Sequence, residues 1–211
     1  MRRCVLLSCA LGLVLLWAAP YCYADLIVEI ERRNSINTPP RIAGPLVEDA
    51  VSYVDRSYRY KDIPAALVGA EYIQVANDDK WTPAYELDVT LSRPATLYLF
   101  LDHRLGNGAT YGMSGQYMYP DTEAAGMYWV EDQGFRDTGW ELGIDEWGDG
   151  SIDQYFCVFS ADVGPGTVTL YQQCDVTLAG DRNMYAVAVL PEPMTLTLLS
   201  LGAALIIRSR R

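Results

Sequence analysis

The chain has 211 residues, half of them hydrophobic, and its 16 Lys and Arg against 27 Asp and Glu leave a net charge of −11. Between the apolar ends, residues 25–191 hold 11 basic and 26 acidic side chains, a net charge of −15. Such acidity repels phosphate backbones and anionic lipid, and it excludes nucleic acid as a partner.

The N-terminal segment has the pattern of an export signal. Arg2 and Arg3 precede an apolar run from Val5 to Ala19, and small residues follow at the positions that define cleavage. This order predicts a secretory signal peptide over residues 1–24. Two alternatives stay open, a lipoprotein signal acylated at Cys22 and an uncleaved membrane helix. A run of about 15 residues makes about 22 Å of helix against a hydrocarbon core of about 30 Å, which favours cleavage.

The middle of the chain alternates apolar and polar residues in short segments bounded by Gly, Pro, Asn and Asp. Eight strands are predicted: Leu26–Glu31, Glu71–Ala76, Tyr85–Leu91, Ala95–Leu101, Met127–Val130, Tyr155–Ser160, Thr167–Gln173 and Met184–Leu190. No segment combines helix caps with a 3.6-residue apolar stripe. The pattern predicts an all-β fold, an antiparallel β-sandwich of jelly-roll type over residues 25–190. The N-terminal signal helix and a C-terminal hydrophobic helix flank it.

Two tight turns are predicted within this sandwich. Ser92–Pro94 separates two strands as a hairpin turn would, and Asp162–Gly166 has turn chemistry between two others. A hairpin centred on the second turn places Cys157 opposite Cys174, at a spacing that allows a disulfide. Export to an oxidising compartment favours that bond. Two free buried thiols are the alternative.

Catalytic chemistry finds little support in the sequence. The lone histidine, His103, lies between Asp102 and Arg104, but adjacent residues of an extended chain point to opposite faces and do not form one catalytic group. We expect Asp102 or Arg104 to turn inward as a polar anchor at a strand end. No phosphate-binding loop, spaced His/Cys set or Cys-His pair is present. We therefore predict that the domain is not an enzyme.

One acidic stretch is a candidate for calcium. Asp145, Asp149 and Asp153 recur every fourth residue, and carboxylate oxygens are the ligands that Ca²⁺ prefers. The twelve-residue calcium-loop pattern fails, because Trp147 and Phe156 occupy positions that need ligands. A solvated acidic loop is the alternative, and no other cofactor is predicted.

Aromatic residues point to a different ligand. Four tryptophans are candidates for stacking on sugar rings: Trp81, Trp129, Trp140 and Trp147. Strand propensity alone also places Trp and Tyr in a β-sandwich core, so this alternative stays open. The segments Tyr98–Arg104 and Phe135–Gly139 resemble β-sandwich modules of secreted, carbohydrate-associated bacterial proteins. That resemblance identifies no binding residue.

The C-terminal segment carries three features in order: the motif Pro191, Glu192 and Pro193, the apolar run Met194–Ile207, and the basic residues Arg208, Arg210 and Arg211. Together they resemble the PEP-CTERM sorting signal of exported bacterial proteins. The resemblance implies a sorting signal over residues 191–211, transit through the inner membrane on a transmembrane helix, and recognition by an exosortase-type membrane protease. It also implies delivery to the cell surface or the extracellular matrix.

These features predict an exported surface or matrix protein with a structural, non-catalytic β-sandwich domain. The alternative is a carbohydrate-binding module that holds surface polysaccharide through exposed Trp and Tyr.

Overall fold

The computed structural model describes residues 25–106, 119–173 and 182–192. Ten strands are present there: β1 Ile27–Arg33, β2 Arg41–Ala43, β3 Arg59–Lys61, β4 Glu71–Gln74, β5 Glu86–Leu91, β6 Ala95–Asp102, β7 Arg136–Asp145, β8 Gln154–Val163, β9 Gly166–Tyr171 and β10 Ala186–Pro191. A 3₁₀ helix, Asn77–Trp81, and a single turn of α-helix, α1 Trp129–Asp132, complete the elements. Of the helices in this part of the chain, none has both the length and the apolar character needed to span a bilayer.

The strands form two antiparallel sheets. The small sheet has the order β1-β5-β9, and the large sheet has the order β2-β4-β10-β6-β8-β7-β3. Buried side chains of both sheets, such as Leu87 and Val89 from β5 and Leu97 and Leu99 from β6, belong to one hydrophobic cluster. The fold is therefore a β-sandwich, as the alternation of the sequence predicts.

Burial follows the two-residue period of a strand. In β5, Leu87, Val89 and Leu91 are buried while the residues between them are half-buried. In β10, Ala186–Val189 is buried on both faces, and this strand lies between β4 and β6 inside the large sheet. A continuous apolar run suits such a central position.

Seven of the eight predicted strands coincide with observed ones in all but their ends. The eighth is wrong: Met127–Val130 leads into α1, since four apolar-rich residues are too few to separate a strand period from a helical one. The ten-residue strand β7 was missed. Its first half is polar and interrupted by Gly139 at φ +71°, where the pairing with β8 shifts between Asp137 and Trp140.

Both predicted hairpins are wrong. Ser92–Pro94 joins β5 of the small sheet to β6 of the large sheet, and Asp162–Gly166 joins β8 of the large sheet to β9 of the small one. Each turn is a corner between sheets, because an alternating strand can pair equally well with a strand distant in sequence.

The predicted disulfide rested on the second hairpin. Because β8 and β9 lie in different sheets, they do not pair in the register that the hairpin assumed. Cys157 instead lies opposite Leu101 on β6 and Glu141 on β7. Cys157 is a free, buried thiol. Cys174 lies outside the described residues, as do residues 1–24 and 193–211 with the predicted signal peptide and most of the predicted sorting signal.

Candidate functional site

The structure does not bring the four candidate tryptophans onto one surface. Trp81, at the end of the 3₁₀ helix, lines a depression of 440 Å³ together with residues 34–37 and 82–83. Trp140 stacks on Tyr98 on the large sheet, with ring centroids 6.2 Å apart and planes 20° from parallel. Trp147 is 70% exposed in the loop between β7 and β8. Trp129 shares a depression with other aromatic side chains.

That depression is the aromatic cleft, defined by Ala84, Tyr85, Glu86, Gly126, Tyr128, Trp129, Tyr171 and Gln172, with a volume of 320 Å³. It lies where the start of β5, the end of β9 and the first residues of α1 meet. Tyr128 is 60% exposed and Tyr171 is 39% exposed. Two accessible phenol rings and one half-buried indole therefore line a single concavity.

Trp129 is held in place from several directions. Its Nε1–H donates a hydrogen bond of 3.0 Å to the backbone carbonyl of Gln172. The indole packs edge to face on Phe135, Tyr171 and Tyr185, with centroids 5.8–6.3 Å apart. Such contacts stabilise aromatic pairs beyond simple burial. The indole is thus a rigid floor for the cleft.

The local sequence explains how α1 reaches this position. Gly126 adopts φ +73°, which turns the chain before the helix. Met127, Val130 and Phe135 are fully buried and anchor the turn to the core. Tyr128, between two anchored neighbours, is left on the outside. The burial pattern thus leaves the Tyr128 ring exposed and the Trp129 ring half-buried.

Polar groups lie around the rings. The Gln172 side chain accepts a hydrogen bond of 2.7 Å from the Ala84 N–H through Oε1, and the Glu86 carboxylate accepts one of 2.7 Å from Arg33 Nε. Among the cleft residues, Glu86 carries the one carboxylate. Glycoside hydrolysis uses a pair of carboxyl groups across the scissile bond, and the described lining of the cleft supplies one.

Two further depressions among the described residues offer less for a sugar. One of 730 Å³ lies beside Ile42, Val68 and Leu190 and has no aromatic residue in its lining. The depression at Trp81 has a single ring. The aromatic cleft is therefore the candidate functional site.

Asp102 and Arg104 are buried as a pair, as the sequence analysis expected of one of them. Arg104 Nε donates 2.8 Å to Asp102 Oδ1, and Asp102 Oδ2 accepts 2.8 Å from the Asn183 N–H. The Asn183 side chain in turn donates 2.6 Å to Glu146 Oε1, and burial raises the pKa of Glu146. This network connects the ends of β6 and β10 with the β7–β8 loop, which makes it a structural anchor.

His103 lies apart from that pair. Its Nε2 is 3.4 Å from Glu141 Oε1, and the ligand atoms of His103, Glu141 and Cys157 all lie within 4.8 Å of one another. Burial lowers the pKa of His103. Burial, with a smaller effect of Asp137 and Glu141, raises the pKa of Cys157 to about 12. Sequence reasoning missed this cluster because its members come from three strands.

In the acidic stretch proposed for calcium, the three carboxylates accept hydrogen bonds from groups of the same loop. Asp145 accepts from the N–H groups of Gly148 and Gly150 at 2.6 and 2.8 Å. Asp153 accepts from the N–H of Trp147 at 3.2 Å. Asp149 accepts from the hydroxyl and N–H of Ser151. Within the described part of the chain the three carboxylates do not converge at ligand distances. Calcium binding here stays a prediction.

The first residues of the predicted sorting motif lie within the described part of the chain. Pro191 ends β10 and pairs with Ala95, and Glu192 follows it on the surface. Pro193, Arg208, Arg210 and Arg211 lie outside the described residues.

No protein-family model and no curated protein matches the chain. Among solved structures, a β-glucuronidase from glycoside hydrolase family 2 is similar over 80% of this chain, with 15% identity and a TM-score of 0.59. A glycoside hydrolase family 138 enzyme targeting pectin rhamnogalacturonan II is similar over 80% of this chain, with 12% identity and a TM-score of 0.47. This chain spans 15% and 17% of their respective lengths. The first likeness shows a shared fold, and no more than that.

Proposed function

We propose that this chain is an exported protein whose β-sandwich domain binds polysaccharide in the aromatic cleft. The observation that carries the proposal is the presence of three aromatic side chains that are not fully buried, Tyr128, Trp129 and Tyr171, in one depression beside polar side chains. This favours the carbohydrate-binding alternative of the sequence analysis over a domain with a purely structural role.

The chemistry of the cleft suits a sugar. A pyranose ring presents C–H groups on its faces and hydroxyls at its edge, so it stacks on an aromatic ring while polar neighbours reach its hydroxyls. Tyr128 and Tyr171 offer accessible rings, and Gln172 and Glu86 offer amide and carboxylate groups. At 320 Å³ the cleft is at the small end of ligand sites. That size suits a short stretch of polymer.

Charge narrows the class of polysaccharide. The net charge of −15 over residues 25–191 disfavours uronate-rich polymers by repulsion. We therefore propose a neutral polysaccharide as the ligand and a non-catalytic role for the domain. Likeness to a domain-sized part of a β-glucuronidase is compatible with a sugar-related role.

Export rests on the two ends of the sequence. The signal-peptide pattern before Asp25 and the resemblance of residues 191–211 to PEP-CTERM signals support secretion, transient membrane attachment and handover to an exosortase-type protease. The proposed destination is the cell surface or its polymer matrix. A polysaccharide-binding domain would hold the protein there.

Affinity electrophoresis of the purified full chain in gels that contain neutral or anionic polysaccharides tests the binding. We expect retardation by at least one neutral polymer, and loss of it in Tyr128→Ala and Tyr171→Ala. Trp147→Ala is the matched control, since Trp147 is exposed elsewhere. If no polymer retards the wild-type chain, the cleft proposal is wrong and the structural role of the domain remains.

Export is tested separately. Mass spectrometry of the cell-surface fraction should find an N-terminus at Asp25, and replacement of Glu192 and Pro193 by alanine should leave the protein in the membrane fraction. Intact chain confined to the cell interior would contradict the export proposal and leave the binding result untouched.

A further inference from the structure

Three neighbouring strands of the large sheet bring a nitrogen, an oxygen and a sulfur ligand together. Glu141 on β7 lies directly opposite Cys157 on β8, and Cys157 lies opposite Leu101 on β6. Residues directly opposite each other share a face of the sheet, and so do residues two apart along a strand. His103 follows the last residue of β6, and its backbone N–H still donates to the Tyr155 carbonyl of β8, so it lies on the same face as Glu141 and Cys157.

The distances suit a metal ion. Zinc bonds of about 2.0 Å to nitrogen and oxygen and about 2.3 Å to sulfur place tetrahedral ligand atoms about 3.3–3.5 Å apart. His103 Nε2 and Glu141 Oε1 are 3.4 Å apart, which is that spacing. The sulfur of Cys157 lies within 4.8 Å of both, and metal binding would draw it closer to them.

Two further observations support a built site. Glu141 Oε1 is buried and accepts no hydrogen bond from any described residue beyond its 3.4 Å approach to His103 Nε2, and a buried oxygen that is satisfied so poorly is costly. The His103 ring stacks on the Tyr155 ring, with centroids 5.8 Å apart and planes 27° from parallel. The backbone N–H of His103 donates a hydrogen bond of 3.1 Å to the Tyr155 carbonyl. The imidazole is thereby held toward Glu141.

We propose that His103 Nε2, Glu141 Oε1 and Cys157 Sγ form a binding site for a zinc-class divalent cation. A mixed nitrogen, sulfur and oxygen set suits zinc and not Ca²⁺ or Mg²⁺, which need oxygen ligands. On binding, the Cys157 S–H bond breaks, its proton goes to solvent, and the thiolate bonds the metal. Three protein ligands leave the fourth position to water, which reaches the site along the partly exposed side of Glu141.

The site is separate from the aromatic cleft, and the proposal does not depend on carbohydrate binding. Its expected effect is to connect β6, β7 and β8 through one ion. Since the ion binds the folded chain, it stabilises the fold by mass action.

Titration of the purified, reduced full chain with Co²⁺ and then Zn²⁺ tests the site. We expect one equivalent of Co²⁺ to produce a thiolate-to-cobalt charge-transfer band in the near ultraviolet, and Zn²⁺ to displace it. Cys157→Ser should abolish the band, and Glu141→Gln should weaken Zn²⁺ binding by at least about 100-fold, as loss of a direct ligand costs no less than loss of an outer partner.

Cys174→Ser is the matched thiol control, and Asp149→Asn tests the acidic loop as a rival site. Both should bind as the wild type does. Zn²⁺ at about a hundredfold excess over its Kd should raise the melting temperature of the wild type and of Cys174→Ser by about 5 °C or more, and should raise it much less for Glu141→Gln.

Absence of stoichiometric binding to the wild type would overturn the proposal. The proposal would also be overturned if the cobalt charge-transfer band persisted in Cys157→Ser, or if it were lost in Cys174→Ser. If Cys157→Ser does not fold by circular dichroism, the difference between Glu141→Gln and Cys174→Ser decides: equal Zn²⁺ affinity in those two variants would also overturn it.

Discussion

The indole ring of Trp129 meets the phenol ring of Tyr171 edge to face, with 6.2 Å between the ring centroids and 66° between their planes. The two residues are 42 positions apart in sequence, one in α1 and the other at the end of β9. Their contact joins α1 to the small sheet and forms part of the lining of the aromatic cleft. If the proposed binding holds, Trp129 serves both the fold and the cleft, whereas Tyr128 serves the cleft alone.

Substitutions in the cleft should separate binding from stability. Tyr128→Ala removes a largely exposed ring, so we expect unchanged unfolding free energy and at least about tenfold weaker polysaccharide binding. Trp129→Ala removes a ring that packs on Phe135 and Tyr185 and should cost about 3–5 kcal/mol of stability. Urea denaturation and affinity electrophoresis measure the two effects. Equal destabilisation by both changes would contradict this division.

The small sheet should lose stability in acid through Asp88. Its carboxylate accepts hydrogen bonds from Arg33 on β1 and, at 2.6 Å, from Thr169 on β9. These bonds, that of Arg33 foremost, hold the pKa of Asp88 below its usual value. A depressed folded-state pKa adds stability above the unfolded pKa of about 3.9, and that stability is lost as the pH falls through the folded value.

Asp88→Asn should therefore lower the unfolding free energy at neutral pH and flatten its fall between about pH 5 and pH 2. Glu29→Gln is the charge-matched control on the exposed face of β1. Urea unfolding at a series of pH values measures both. If the unfolding free energy falls as steeply in acid for Asp88→Asn as for the wild type, Asp88 does not cause that fall.

Glu71 connects the two sheets at the start of the domain. Its two carboxylate oxygens accept from the N–H groups of Leu26 and Ile27 at 2.8 and 2.9 Å. Glu71→Ala leaves both donors without this partner and should cost about 1–3 kcal/mol. Glu71→Gln keeps one acceptor and should cost less. Glu31→Ala, on an exposed position of β1, is the control, and faster amide exchange of Leu26 and Ile27 in Glu71→Ala would locate the effect.

Gly106 permits a close backbone contact. It adopts φ +71°, and a Cβ there would lie 2.0 Å from the carbonyl oxygen of Asp121. Gly106→Ala should therefore displace the segment that leads to α1 and cost more than the roughly 1–2 kcal/mol of a left-handed alanine. Gly134→Ala, with φ +84° and no atom near its Cβ, should cost only that amount. Equal melting temperatures of the two variants would contradict the clash.

Much of the strand content could be read from the sequence, because the alternation of a half-buried strand is local. Leu87, Val89 and Leu91 show it in β5, and Leu97 and Leu99 show it in β6. The same locality explains the failures. The four residues Met127–Val130 carry too little periodicity to distinguish strand from helix, and the polar first half of β7 hides a strand whose pairing with β8 shifts between Asp137 and Trp140.

The sequence by itself determined the all-β class, the acidic surface and the positions of most strands, since composition and two-residue periodicity are properties of short segments. Only the tertiary structure decided which strands pair, that Cys157 faces Glu141 on β7 and Leu101 on β6, and that Tyr128, Trp129 and Tyr171 share one depression. The physical reason is that backbone hydrogen bonding in a sheet is the same for any partner strand. Side-chain packing across the whole sandwich selects the partner, and no short segment contains that information.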